Sequence, residues 1–143
     1  MRGEIAAFVD TNVLVYALSA DDPRKQERAS SIVERGFAEG CYAVSTQVLM
    51  ELYVNITRKA QIKLPPAQAL EYVRSLTEWH VVDMVPDLVL SALSLADRMR
   101  ISPWDAAILE AARKAGCGLV LSEDLGAGQS YAGIRVENPF SIR

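Results

Sequence analysis

Along this chain, short unbroken apolar runs alternate with longer stretches in which apolar residues recur at helical spacing. Ile5–Val9 is an apolar run that stops at a charged residue, the pattern of a buried strand, and Asn12–Leu18 reads as a short helix. Pro23–Ala38 has Ala29, Ile32, Val33 and Phe37 spaced for one inward face, with Gly40 just past its end. Cys41–Val44 predicts a second strand. Thr46–Lys59 predicts a helix with Val48, Leu49, Leu52 and Ile56 facing the core. Pro65 and Pro66 open a helix to Glu78, with Leu70, Val73 and Leu76 inward. His80–Met84 predicts a third strand and Pro86–Met99 a helix. A further helix begins at Pro103 and ends after Lys114, at Gly116 and Gly118. Leu119–Leu121 is a fourth strand and Ile134–Val136 a candidate fifth. Strands separated by helices predict an α/β fold: a three-layer α/β/α sandwich around a mostly parallel sheet of four to five strands.

Composition narrows the setting. The 143 residues suit one domain, 1–143, and half of them are hydrophobic, enough for a core without staples. A net charge of −3 lacks the basic surplus of a sequence-specific DNA binder, yet leaves room for a nuclease with an acidic site. Cys41 and Cys117 form neither a CxxC pair nor a disulfide framework, and are expected as small core residues of a reduced, cytoplasmic protein. His80 alone excludes zinc sites built on two or more histidines. Asp10 and Asn12 break the first apolar run, so no membrane helix is expected, and no signal cleavage site follows it.

The candidate chemistry is carried by four acids. Asp10 directly follows the first strand, and Asp124 follows the fourth in "LVLSED". In open α/β sheets, ligands bind beyond the carboxyl ends of strands where strand order reverses, so these two carboxylates meet there if the two strands are neighbours. Glu51 lies within a helix and Asp105 opens another. Each acid also has an ordinary role: Asp10 as a helix cap, Asp105 as the N3 acid after Ser102 and Pro103, Glu51 in a solvated stripe with Asn55 and Arg58, Asp124 as a loop acid near Gly126 and Gly128. Brought together, four carboxylates raise one another's pKa, and a hard divalent cation with oxygen ligands, Mg2+ or Mn2+, removes that penalty.

The segments "FVDTNVLVYA" at 8–17, "STQVLMELYVNITRK" at 45–59, "SPWDAAILEAARKAGCGLVLSEDL" at 102–125 and "VENPF" at 136–140 resemble the PIN-domain nucleases. Among these they are most similar to the toxins of bacterial and archaeal type II toxin–antitoxin pairs (VapC-like). The resemblance implies Mg2+- or Mn2+-dependent cleavage of RNA with Asp10, Glu51, Asp105 and Asp124 as catalytic, metal-binding acids. Glu123 is the fallback for the fourth place, and Thr11, Asn12 and Ser122 support the carboxylates. The implied reaction is in-line hydrolysis that expels the 3′ oxygen and leaves a 5′ phosphate. The implied partners are the RNA substrate, a cognate antitoxin covering the acid site, and a second copy in a homodimer through an apolar helix such as 65–78 or 45–59.

Other features are read more plainly. The basic groups Arg24, Lys25, Arg28 and Arg58, Lys59, Lys63 are expected as solvated helix termini rather than phosphate grips. Trp79 and Trp104 are expected to pack rather than stack on bases, and His80 to pack or cap. "GAGQ" at 126–129 is too short for a phosphate-binding fingerprint. An aspartyl-phosphate phosphatase also places an Asp after its first strand, but wants a second Asp two residues on, where this chain has Asn12. A phosphoryl-receiver domain needs a mid-chain acceptor Asp and a late Lys; Asp83 suits the first role poorly, and no lysine follows Lys114. A non-catalytic PIN-like binding module is the remaining alternative.

Overall fold

The structure is a computed structural model describing residues 4–126 and 128–141. Ala127, within the "GAGQ" stretch, lies outside the described residues. In chain order the elements are β1 (Ala7–Val9), α1 (Thr11–Tyr16), α2 (Pro23–Glu39), β2 (Tyr42–Ser45), α3 (Thr46–Arg58), α4 (Pro66–Leu76) and β3 (His80–Val82). Then follow α5 (Pro86–Met99), α6 (Pro103–Lys114), β4 (Leu119–Leu121), β5 (Ser130–Tyr131) and β6 (Ile134–Glu137).

The strands form one sheet in the order β3-β2-β1-β4-β6-β5, parallel except for the β5–β6 pair. The chain winds outward from β1 through β2 to β3, then returns to lay β4 on the other side of β1. That reversal between β1 and β4 is the topological switch point. Helices α1–α4 occupy the first two crossovers, and α5 and α6 the return. Right-handed crossovers place these two sets on opposite faces, giving the α/β/α sandwich. The inner strands are buried on both faces and read as unbroken apolar runs: Phe8, Val9, Ala43, Val44 and Val120 are all inaccessible to solvent.

Helix starts follow their capping chemistry. Ser45 caps α3 by accepting from Val48 N at 3.3 Å, and Ser102 caps α6 by accepting from Asp105 N at 3.0 Å with Pro103 at the first helical position. Gly40 closes α2 in the left-handed region at φ 62°, where a side chain is costly. The inward faces of α3 and α2 match their spacing, with Val48, Leu52, Ile56, Ala29, Ile32 and Val33 buried.

Three expectations need correction. The sheet has six strands rather than four to five, because Ser130–Tyr131 pairs antiparallel with β6. Ala132 and Gly133 turn that hairpin with φ of 51° and 91°, the positive values of a two-residue turn that follows strand twist. Alanine in the first of those positions hides the turn from a sequence reading. Phe37 and Leu70, expected inward, are 42% and 48% exposed. Phe37 lies at the edge of the core against Trp79, and α4 buries Ala69 and Leu76 instead. Cys41 and Cys117 are free and buried, as small apolar residues are.

Candidate active site

Asp10 sits just beyond β1 and is 8% exposed. Its backbone N–H donates to Leu121 O at 3.0 Å, so the ends of β1 and β4 lie side by side. Its carboxylate caps α1, accepting from Thr11 N at 2.7 Å, and accepts from the Ser122 hydroxyl at 2.8 Å. Ser122 is wholly buried. Its Oγ accepts from Asp124 N and Leu125 N, each at 3.2 Å, shaping the turn after β4. Asn12 ties the same turn to α1: its amide donates to Ser122 Oγ at 3.2 Å and Asp124 Oδ2 at 3.3 Å, and its carbonyl accepts from Glu123 N at 3.0 Å.

Glu51 projects from α3. Thr11 Oγ1 donates to its Oε1 at 2.9 Å, and Gln47 Nε2 to its Oε2 at 3.3 Å. Gln47 Nε2 also reaches the Trp104 carbonyl at 3.4 Å, joining α3 to the start of α6. Asp105 occupies the first turn of α6, where its charge also suits the helix dipole. Capping and site placement therefore coincide at Asp10 and Asp105. Asp10, Glu51, Asp105 and Asp124 all line one cavity of about 520 Å³ over the switch point.

Their charges act on one another. The Asp10 carboxyl is pushed up to about 6, chiefly by burial; Ser122 and Thr11 oppose the shift, and the charges of Glu51 and Asp124 add to it. Burial also raises Asp105, with Asp124 and Glu51 contributing. Among the described residues, none of the four acids is in a salt bridge; the ion pairs lie elsewhere. An all-oxygen donor set with uncompensated mutual repulsion fits a hard divalent cation. Among the described residues no three His, Cys, Asp or Glu side chains already stand close enough to hold an ion. The fit is thus one of donor chemistry and charge, with the carboxylates spread across an open cavity.

Glu123 is turned to a different task. Tyr16 Oη donates to it at 2.7 Å, and it forms an ion pair with Lys25. Burial works to raise its carboxyl, but Lys25 and Tyr16 outweigh that and hold it below the usual value. The Lys25 ammonium also lies 4.8 Å from the Tyr16 ring centroid and 5.7 Å from that of Phe140. Lys25 is therefore a strut joining α2 to the turn after β4, not the solvated terminus expected. No spacing signal connects residues 98 positions apart, and the parts played by Lys25, Tyr16, Gln47 and Phe140 become visible only in the fold.

The remaining candidates divide. Trp79 packs as expected, 3% exposed against Phe37 and Tyr42. Trp104 does not: it is 68% exposed at the same cavity. Lys59 also lines that cavity, whereas His80 lies half-buried in β3.

Fold and site together define a class: α/β/α proteins with a carboxylate-lined cleft at the topological switch point. The PIN domain family model matches residues 7–129, and the chain belongs to the PIN-domain family. No curated protein sequence matches it. Among solved structures it is similar to a toxin–antitoxin complex from Klebsiella pneumoniae, at 20% identity and TM-score 0.69 over 96% of this chain and 100% of that one. It is also similar to VapC20 of Mycobacterium tuberculosis, a sarcin–ricin-loop-cleaving toxin, at 25% identity and TM-score 0.65 over 85% and 92%. DNA-bound VapBC from Salmonella typhimurium matches at 18% identity and TM-score 0.66 over 94% and 98%.

Proposed function

We propose that this PIN-domain protein is a Mg2+- or Mn2+-dependent endoribonuclease, the toxin of a toxin–antitoxin pair. The observation that carries the reading is the convergence of Asp10, Glu51, Asp105 and Asp124, from four separate segments, on one cavity where their charges repel. The likeness to a sarcin–ricin-loop-cleaving toxin supports it.

Asp10, Glu51, Asp105 and Asp124 would hold the ion, which when bound neutralises charge on the phosphodiester and makes water a stronger nucleophile. The chain's own contribution is orientation. Thr11 bridges Asp10 and Glu51, through its backbone N–H and its hydroxyl respectively. Ser122 fixes the buried Asp10, and Asn12 holds Asp124 toward the cavity. Lys25 and Tyr16 keep Glu123 occupied, which favours Asp124 as the fourth acid. In-line attack by water would leave a 5′ phosphate and a 3′ hydroxyl.

Labelled RNA incubated with protein and Mg2+ is expected to be cut internally, with cleavage stopped by EDTA. Products ending in 2′,3′-cyclic phosphate, or cleavage indifferent to EDTA, would defeat the mechanism. Asp124→Asn is expected to lower cleavage by about 100-fold or more, as lost charge stabilisation at a metal site does. Glu123→Gln should cost about threefold or less, since its partners are structural. Equal losses in the two variants would overturn the assignment of the fourth acid.

The same reading brings a cognate antitoxin, a homodimer and a cytoplasmic site of action. Exposed Met50 and Val54 on α3 and Leu70 on α4 are apolar surface available to a partner. Among the described residues no helix is long and apolar enough to cross a membrane.

A further inference from the structure

We infer that Trp104 is a stacking platform for an unpaired nucleobase beside the acid cluster, with Lys59 at the same cavity taking a neighbouring phosphate. This rests on the ribonuclease reading and adds a residue that sets how the substrate lies. An indole is a large apolar surface that folding ordinarily buries, as it does Trp79 at 3% exposure; Trp104 stands 68% exposed. Its exposure does not come from a loose backbone. Pro103 fixes the entry to α6, Ser102 caps the next residue at 3.0 Å, and Gln47 donates to the Trp104 carbonyl at 3.4 Å. The same Gln47 amide holds Glu51, so the platform and one of the acids share a support. Asp105 follows directly, placing the ring one residue from another acid.

The surroundings choose the occupant. The side chains lining the cavity are mostly polar or charged, Gln47, Glu51, Asp105 and Asp124 among them, with Val15 and Ile108 as its aliphatic members. A protein partner's apolar hot spot wants apolar neighbours and finds few along this wall. A nucleobase brings a flat face for the ring, and its backbone brings an anion. Lys59, at the end of α3, is the cation among the cavity's described lining residues, and Gln61 and Asn55 add amide donors near it. Stacking tolerates any base, because every base has a π face, so this contact favours single strands over duplexes without reading sequence.

Asp10→Asn protein in Mg2+ gives a cleavage-silent background for binding. Because Trp79 is buried, the exposed-type fluorescence reports Trp104. A short unstructured RNA is expected to quench that emission, and a blunt duplex of the same sequence to quench it far less. Adding Trp104→Ala should weaken RNA binding by about 5- to 150-fold, the range that stacking of one base spans. In the otherwise unmodified enzyme the same change should raise KM by a similar factor, Trp104→Phe should recover most of it, and the melting temperature should stay unchanged. Unaltered KM in Trp104→Ala, with RNA still cleaved, overturns the stacking role and leaves the nuclease reading intact. Emission that ignores RNA but shifts with protein concentration overturns it in favour of contact with a second copy. Unmodified protein that neither binds nor cuts RNA overturns both.

Discussion

Asp10→Asn is expected to abolish RNA cleavage while making the metal-free protein more stable at neutral pH. Folding raises this carboxyl from 3.8 to about 6, so the folded chain holds the proton more tightly than the unfolded one. The stability it contributes is complete below pH 3.8 and is lost as pH rises through about 6. The shift of roughly two units corresponds to about 3 kcal/mol. Asparagine removes the charge but keeps one acceptor, for Thr11 N or for Ser122, and the weakened second bond returns about 1 kcal/mol of that gain. A net stabilisation of about 1–2 kcal/mol, or a few degrees in Tm, is therefore expected near pH 7.5. Thermal melts in EDTA at pH 4.5 and 7.5 check it: the unmodified protein should lose more stability between them than Asp10→Asn, in which the raised Asp105 carboxyl still titrates. Mg2+ should restore the unmodified protein and leave the variant unmoved. A wild-type melting temperature flat across this range would remove the electrostatic basis of the site.

Gly36→Ala carries the largest expected effect on folding. At an exposed helical position this change stabilises by about 1 kcal/mol. Here an added Cβ would lie 2.3 Å from Cζ2 of Trp79, with two further ring atoms within 2.8 Å. The indole cannot retreat, since Phe37 and Tyr42 hold it with centroids at 5.6 and 5.8 Å. Overpacking against a rigid ring outweighs the helix gain, and a net loss of about 2 kcal/mol or more is expected, roughly 5–10 °C in Tm. Adding Trp79→Leu should recover part of the loss in a double-mutant cycle. Gly36→Ala protein as stable as the parent would mean that α2 can shift away from Trp79.

The large elements were legible because each is specified locally. Proline at the first helical position and serine at the cap mark α6, and an apolar run ending in an acid marks β1. The acids were legible for the same reason: Asp10 and Asp105 sit at element boundaries, where chain order alone places them. Adjacency of β1 and β4 could only be posed as a condition, because a parallel pairing between residues more than 110 positions apart leaves no local trace. The hairpin β5–β6 escaped notice through Ala132, and Phe37 and Leu70 through a helical face that is apolar beyond the part the core covers. Lys25 and Trp104 were misread because composition gives the usual fate of a residue type, while their surroundings are set by tertiary contacts.

The hydroxyl that steadies Asp10 lies 112 positions downstream of it. A growing polypeptide thus carries this acid and its neighbouring donor Thr11 well before the serine that completes its hydrogen bonds has been synthesised. A product stalled or clipped before Ser122 lacks that serine and Asp124 together, so the acid site is expected to assemble only once the crossover from β3 to β4 is in place.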